Sequence, residues 1–454
     1  MAHWFGVELR NWRETRRLST TALGAKVHLS GALIQRIEKA ERSCNAELAA
    51  ALDQALDAGG ALTRLWRRVE DETATKVGHA DTAQEAPPLE VVTPDAQGSQ
   101  KQSPFASEWS SVERRLFLAA VGGAAALTPQ ALAGLADDAL PSVVRQDDID
   151  QVWTASKFLA TWDNEYGGGG LVHSASLGLY QWATSLLKVS CPDHLQAALF
   201  TAVGRLAIVM GASAFDAYEH DDASRYLHVG ARCAEHAGTW HLRASAMNWL
   251  ARQSIWVGQP DSGLTYAEAG LVRSDRLTPR ERGMLLNACA RAHAKMGNAQ
   301  ETLRAIGRSD EAFSHAREGE DEPWMGYYDV AQHHGDTGHA LFDLAIQAND
   351  PPTVAGRRLQ AAAARRLQVA IEKHQAPFVR SRALSGTKLA SLSMATGDPQ
   401  EAVTIGHRAL DEVGRLRSKR AVEDVLELRR IASSRSRKTE VAELRERIRT
   451  TVQA

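Results

Sequence analysis

Gln35 and Arg36 stand side by side in the stretch SGALIQRIEKA; Arg36 ends in a forked donor and Gln35 in an amide that both donates and accepts. The two parallel N–H groups of a guanidinium suit two adjacent acceptors, such as those on a guanine edge. A second cluster, HHGDTGH, brings His333, His334 and His339 close together, as metal ligation would require. Helical metal pairs use i and i+4, however, and no two of these histidines have that spacing. No metal site is expected there. GGGG at 167–170 follows no strand and precedes no GK[ST], so it is not read as a phosphate loop; it should break a helix or let backbones approach closely. The chain contains no GxSxG, HExxH or Cys-His nucleophile arrangement, so no catalytic residue and no cofactor are expected. Asn248 and Asn287 take similar places in successive helical segments, where an amide either clamps a peptide backbone or packs between helices. The aromatic residues Trp153, Trp162, Tyr166, Tyr180 and Trp182 recur at near-helical spacing and are expected in a core.

The elements that must position Gln35 and Arg36 are short. Phe5, Leu9 and Trp12 make one apolar stripe of a first helix. Ser19 can cap a second helix that carries Leu23 and Val27 inward, and Ser30 can cap a third. Leu33, Ile34 and Ile37 then face inward on that third helix, and Gly31, Ala32, Gln35, Arg36 and Lys39 face out. Asn45 can cap a fourth helix with the stripe Leu48, Leu52 and Leu56, and ALTRLWRRV supplies a fifth. Two short helices joined by a tight turn, the second with a polar outer face, form a helix-turn-helix whose second helix enters a major groove.

Charge agrees with that placement. Residues 1–45 hold eight Lys/Arg against four Glu, whereas residues 71–112 hold seven acidic residues against two lysines. A basic head of this kind is the footprint of phosphate binding. The whole chain of 454 residues has a formal net charge of only -2, so no general polyanion-binding role follows. Its four cysteines, Cys44, Cys191, Cys233 and Cys289, lie far apart with no CxxC pair. That pattern argues against a disulfide framework or zinc site and fits a reducing, cytoplasmic setting. Arg114 and Arg115 precede a short apolar run from Leu116 to Leu127 that imitates an export signal. The run is too short for a bilayer and lies deep in the chain, so it is read as a packed helix.

Three regions follow: residues 3–70 with the five short helices, residues 73–108 as a proline-bearing disordered linker, and residues 109–454 as helical repeats. No run of alternating β-branched residues appears, so the fold class is all-α. In the long region Gly258 and Gly297, 39 residues apart, each close one helix before a polar turn and a second helix. Small residues recur at helical spacing after such turns: Gly263, Ala267 and Gly270, then Ala402, Gly406 and Ala409. Ala223, Leu227 and Gly230 make a similar set. Paired antiparallel helices that meet at small residues stack into a solenoid. The pattern resembles a degenerate tetratricopeptide repeat without most of the consensus aromatics.

Residues 5–45 resemble the XRE (Cro/repressor-type) DNA-binding domain, with FGVELRNWRE as its first helix and Ile37-Glu38 as its Ile-Glu pair. The resemblance implies base contacts at Gly31, Ala32, Gln35 and Arg36, and phosphate contacts at Thr20, Ser30 and Lys39. Three positions depart from the family pattern: Thr20 stands for a glutamine, His28 for the turn glycine and Ala40 for the glycine after the recognition helix. Gly31 and Ala32 lack side-chain donors, so direct reading narrows to Gln35 and Arg36. The whole arrangement, including DNEYGGGG at 163–170 and RSRALSGTKLASLSMATGDPQEA at 380–402, is similar to actinomycete regulators that join such a head to a repeat domain. It is also similar to peptide-sensing regulators of the RRNPP type. What these resemblances imply is a homodimeric regulator that binds double-stranded DNA and senses a peptide or small molecule, with Asn248 and Asn287 as candidate ligand contacts. The alternative is a repeat-based adaptor without specific DNA binding, and a phosphatase-like regulator is a more distant one.

Overall fold

A computed structural model describes residues 2–58, 60–66, 140–169, 171–348 and 353–453. The linker, the paired arginines Arg114 and Arg115, the apolar run after them and the end of the fifth helix lie outside the described residues. Among the described residues there is no strand, and helices account for nearly all regular structure. The head comprises α1 (Ala2–Thr15), α2 (Thr20–Lys26), α3 (Gly31–Glu38), α4 (Ala46–Leu56) and α5 (61–66). Then come α6 (Gln146–Tyr166), α7 (Leu171–Leu186), α8 (Asp193–Asp216), α9 (His220–Ala237), α10 (Trp240–Trp256) and α11 (Pro260–Leu271). They are followed by α12 (Pro279–Lys295), α13 (Ala299–Ser314), α14 (Val330–Gln347), α15 (Val354–Lys373), α16 (Val379–Thr396), α17 (Pro399–Val413), α18 (Lys419–Ile431) and α19 (Thr439–Gln453).

The chain divides into two units, one of residues 1–90 and 250–321, the other of residues 91–249 and 322–454. In the first, the head shares a unit with α11 to α13, a grouping that the sequence does not foreshadow. Arg64 makes an ion pair with Glu268 on α11, and the Thr15 hydroxyl donates to the Val272 carbonyl at 3.2 Å. Burial lowers the pKa of Arg64, against the opposing fields of Asp261 and Asp53.

Helices pair wherever a missing side chain lets backbones meet. In the second unit, a Cβ on Gly204 would lie 2.7 Å from Cys233 Cβ, and one on Gly211 would lie 2.6 Å from Leu227. As α8 advances from 204 to 211, its neighbour on α9 recedes from 233 to 227, so the two run antiparallel. Gly335 and Gly338 of α14 likewise face Ala370 and Leu367 of α15. In the first unit the Ser309 hydroxyl donates to the Gly283 carbonyl at 2.7 Å, clamping α13 to α12. Gly258 and Gly297 end α10 and α12 with φ of 81° and 77°, the left-handed cap expected of them. The small residues at 223, 230, 263, 267, 270, 402, 406 and 409 are all buried. One described helix, Asp193–Asp216, is long and apolar enough to cross a membrane, but most of it is buried inside the fold.

A buried charge network ties early and late helices of the second unit. Arg380 on α16 bridges Asp163 on α6 at 2.6 Å and Asp216 on α8 at 3.4 Å. Asp216 also accepts from Arg420 Nε and Ser418 Oγ at 2.8 Å each and from the Gly168 N–H at 3.0 Å. Burial works to raise the Asp216 carboxyl, but Arg380, Arg420 and these donors outweigh it and hold its pKa below the usual value. Asp163 has fewer partners, and burial pushes it up. The glycine run serves this joint. A Cβ on Gly167 would lie 2.7 Å from the Arg417 backbone, and one on Gly168 would collide with the Ser213 carbonyl. The backbone-approach reading of GGGG therefore holds for Gly167 and Gly168. Of the five aromatics expected in a core, Tyr180 is buried edge-on to Tyr226 at 4.9 Å and Trp153 stacks on Trp324 at 5.6 Å. Tyr166 is a correction: as the last residue of α6 it is 49% exposed, because the chain turns away at Gly167.

Replacing Arg380 by alanine leaves Asp163 and Asp216 buried and facing each other. The variant should lose about 3–5 kcal/mol of stability, read as a lower urea midpoint. A second test uses pH. His374 is buried at the end of α15, and burial lowers its pKa below the ordinary 6.5, with Arg382 adding to the effect and Asp329 and Asp336 opposing it. The folded state thus binds fewer protons here than the unfolded chain. This stability is complete above about pH 6.5 and is lost as pH falls towards the lowered pKa. His374→Gln should flatten the fall in melting temperature between about pH 7.5 and 5.5 relative to wild type.

Candidate nucleic-acid interface

The head is built around one stripe per helix. Phe5, Leu9, Leu23, Ile34, Ile37, Leu52, Leu56 and Leu62 form its core, with Trp12, Val27, Leu33 and Leu48 packed at the margin. All three expected caps are present. Ser19 Oγ accepts from the Ala22 N–H at 3.0 Å, Ser30 Oγ from Leu33 at 3.2 Å, and Asn45 Oδ1 from Leu48 at 2.9 Å. Asp53 caps the fifth helix from the side, accepting from the Gly60 and Thr63 N–H groups at 2.7 and 3.0 Å.

A buried ion pair fixes α1 to α3. Arg13 donates from Nε and Nη2 to the two carboxylate oxygens of Glu38 at 2.6 and 2.9 Å, and from Nη1 to the Leu18 carbonyl at 3.0 Å. The hydrogen bond to Glu38 raises the pKa of Arg13 against the burial that lowers it. The Glu of the Ile-Glu pair therefore works inside the fold and not at its surface. Next to it, a Cβ on Gly6 would collide with the Glu38 carbonyl, so α1 lies directly on the end of α3.

The turn before α3 needs left-handed backbone. His28 has φ 57°, and the Leu29 N–H closes the turn on the Gly24 carbonyl at 2.8 Å. Ala40, after α3, has φ 58°. Both positions impose left-handed backbone on L side chains. A Cβ on Gly24 would lie 2.5 Å from the Leu29 carbonyl, which brings α2 and α3 into contact at this turn.

The outward face of α3 agrees with the sequence at four of its five positions. Ala32, Gln35, Arg36 and Lys39 are exposed. Gly31 is different: a Cβ there would lie 2.9 Å from the Thr21 backbone, so this glycine exists for the crossing of α2 over α3. Any contact it makes must come from its backbone N–H. Thr20 is half-buried at the start of α2, and Ser30 is exposed with its oxygen engaged as the cap.

Pairing redistributes the basic charge. Arg10, Arg13 and Arg16 are neutralised by Glu14, Glu38 and Asp57. Arg16 also donates to the Leu56 and Asp57 carbonyls at 2.7 Å, closing the end of α4. Arg17, Lys26, Arg36, Lys39 and Arg42 are exposed and have no carboxylate partner among the described residues. The residue-level reading of the sequence missed Arg17, Lys26 and Arg42. Their signal was only a charge count that could not separate them from Arg13.

Residues 4–66 match the helix-turn-helix domain family. No curated protein matches the chain. A helix-turn-helix domain of this family is the mark of a DNA-binding regulator. The other expected contacts lie elsewhere. Asn287 is buried on α12 of the first unit and Asn248 on α10 within the second. Asn248 Nδ2 donates to the Tyr327 hydroxyl at 3.5 Å. Among the described residues no group of three or more His, Cys, Asp or Glu could hold a metal ion. His333, His334 and His339 stand on one continuous helix, α14. Ala40→Gly should remove left-handed strain and slow amide exchange across α1 to α4, equivalent to about 0.5–1 kcal/mol.

Proposed function

We propose that the chain is a cytoplasmic, sequence-specific DNA-binding transcriptional regulator. Its α3 enters the major groove, and its helical-repeat region joins two copies and senses a ligand. The single observation that carries this reading is the exposed face of α3. Gln35, an amide donor and acceptor, and Arg36, a forked donor, are exposed beside the buried Ile34 and Ile37, with Lys39 one turn on, and Arg17, Lys26 and Arg42 of the same head are exposed cations. Arg36 reads a guanine edge, with Gly31, Ala32 and Gln35 beside it at the base edges; Thr20, Ser30 and Lys39 hold phosphates. The paired helices support a tetratricopeptide-like solenoid. A single head spans only a few base pairs, so useful affinity calls for a homodimer on two half-sites.

The test is a gel shift on the DNA upstream of the protein's own coding region, with both variants first shown to be folded. Arg36→Ala should weaken the specific site strongly, by about 1–3 kcal/mol, and non-specific DNA only mildly. Lys39→Ala should weaken both equally and reduce the salt slope by about one unit. If Arg36→Ala binds as wild type does, α3 is not the reader and the adaptor role takes its place.

A further inference from the structure

The corner between α18 and α19 carries positive charge that nothing beside it answers. Its sequence, RRIASSRSRK at 429–438, holds five cations and no acid. α18 ends at Ile431 and passes directly into the 3₁₀ turn Ala432–Arg435, with Ile431 and Ala432 both in right-handed helical backbone. Residues three apart in such a turn lie one above the other, so Ser433 stands over Arg430, with Arg429 one position further back. Two more turns bring in Arg437 and Lys438. The Ser436 N–H closes one on the Ser433 carbonyl at 3.3 Å, and the Lys438 N–H closes the other on the Arg435 carbonyl at 3.1 Å.

The three serines of this corner are not equivalent. Ser434 is exposed, but its hydroxyl donates to the Ile431 carbonyl at 3.2 Å. Ser436 is half-buried. Ser433 is exposed, and its hydroxyl has no partner among the described residues. The cations divide in the same way. Arg435 donates to the Gly397 and Ala395 carbonyls at 3.1 and 3.5 Å. Arg430, Arg437 and Lys438 are exposed and make no ion pair among the described residues, and Arg429 Nε is buried without an acceptor. The flanking acids are engaged or solvated: Glu427 pairs with Lys388 and Glu446 with Arg449, while Glu440 and Glu443 are exposed. Cations in the last turn of α18 complement its dipole, which accounts for Arg429 and Arg430 but not for Arg437 and Lys438 beyond the helix.

We propose that Ser433 is a phosphorylation site, modified by an arginine-directed serine/threonine kinase and held afterwards by Arg430, Arg437 and Lys438. Ser433 Oγ attacks the γ-phosphorus of the kinase's nucleoside triphosphate. The Oγ–P bond forms and the bond to the bridging oxygen breaks. The nucleoside diphosphate leaves with that electron pair, and the hydroxyl proton passes to a carboxylate base of the kinase. Carboxylates in the kinase's peptide cleft recognise Arg429 and Arg430 ahead of the serine. A single 3₁₀ turn has poor hydrogen-bond geometry, so it is the part of the corner that opens to admit the enzyme. The phosphate then brings a dianion and three acceptor oxygens to cations that had none. It ties the end of α18 to the start of α19, whose Leu428, Ala432, Val441 and Leu444 already share one apolar cluster.

Two samples of the full chain test this by peptide mass spectrometry. One is isolated from the protein's own cells; the other is treated with magnesium ATP and a purified kinase that requires arginine three residues before its serine. One phosphate is expected, on Ser433, and its presence in one sample is enough to establish the site. In the treated sample Ser433→Ala should abolish incorporation, Arg430→Gln should slow it about tenfold, and Ser434→Ala should leave it unchanged. Phosphorus NMR on the treated, folded chain tests the cradle. The second ionisation of phosphoserine, normally at about pH 6, should fall by about one unit, and the double variant Arg437→Gln, Lys438→Gln should return it towards 6. Phosphate on Ser434 or Ser436 instead, its absence from Ser433 in both samples, or an ionisation no different from that in the urea-unfolded chain would overturn the proposal.

Discussion

Close approach of helix backbones is the constraint on which both units depend. In the head, Gly6 lets α1 rest on the last carbonyls of α3, and Gly24 and Gly31 let α2 lie against the start of α3. These contacts set the angle at which α3 presents Gln35 and Arg36. In the second unit Gly204, Gly211 and Gly230 let α8 and α9 interlock, and Gly338 does the same for α14 and α15. An added methyl group at such a crossing must displace a neighbouring backbone in the head or a packed core side chain in the second unit, because interiors are packed as densely as organic crystals. The small residues are therefore required by geometry, although they bury little apolar area themselves.

Where backbones meet this closely, polar groups are carried inside, and the fold satisfies them by pairing across distant elements. Arg13 with Glu38 and Arg380 with Asp163 and Asp216 are the clearest cases. A buried pair gains little over an apolar replacement, but losing one partner is costly, so each acts more as a register lock than as a source of stability. Asp216 shows the logic well. Two arginines, a hydroxyl and a backbone N–H converge on a carboxylate of α8 with no solvent exposure, and the residues that supply them come from the glycine turn, α16 and the start of α18.

The same accounting separates structure from function among the cations. Arg13 and Arg16 are spent on internal carboxylates and carbonyls, whereas Arg17, Lys26, Arg36, Lys39 and Arg42 face solvent without partners. A DNA backbone supplies the phosphates that such residues lack.

Local chemistry was legible in the sequence. Ser19, Ser30 and Asn45 cap because a short oxygen-bearing side chain just before an apolar helical run has free N–H groups within reach. The stripes of α1 to α4, the glycine caps at Gly258 and Gly297, and the outward face of α3 all depend on neighbours within a few residues. The tertiary structure decided what depends on distant partners. It placed Gly31 against Thr21 at the crossing of α2 and α3, withdrew Arg13 from the basic surface, and joined Arg380 to residues more than 200 positions earlier. It also attached the head to α11 through Arg64 and Glu268 and left Asn248 Oδ1 buried beside Tyr327. The physical reason is that periodicity reports which face of a helix is buried, while pairing, desolvation and orphaned groups depend on which other helix covers that face.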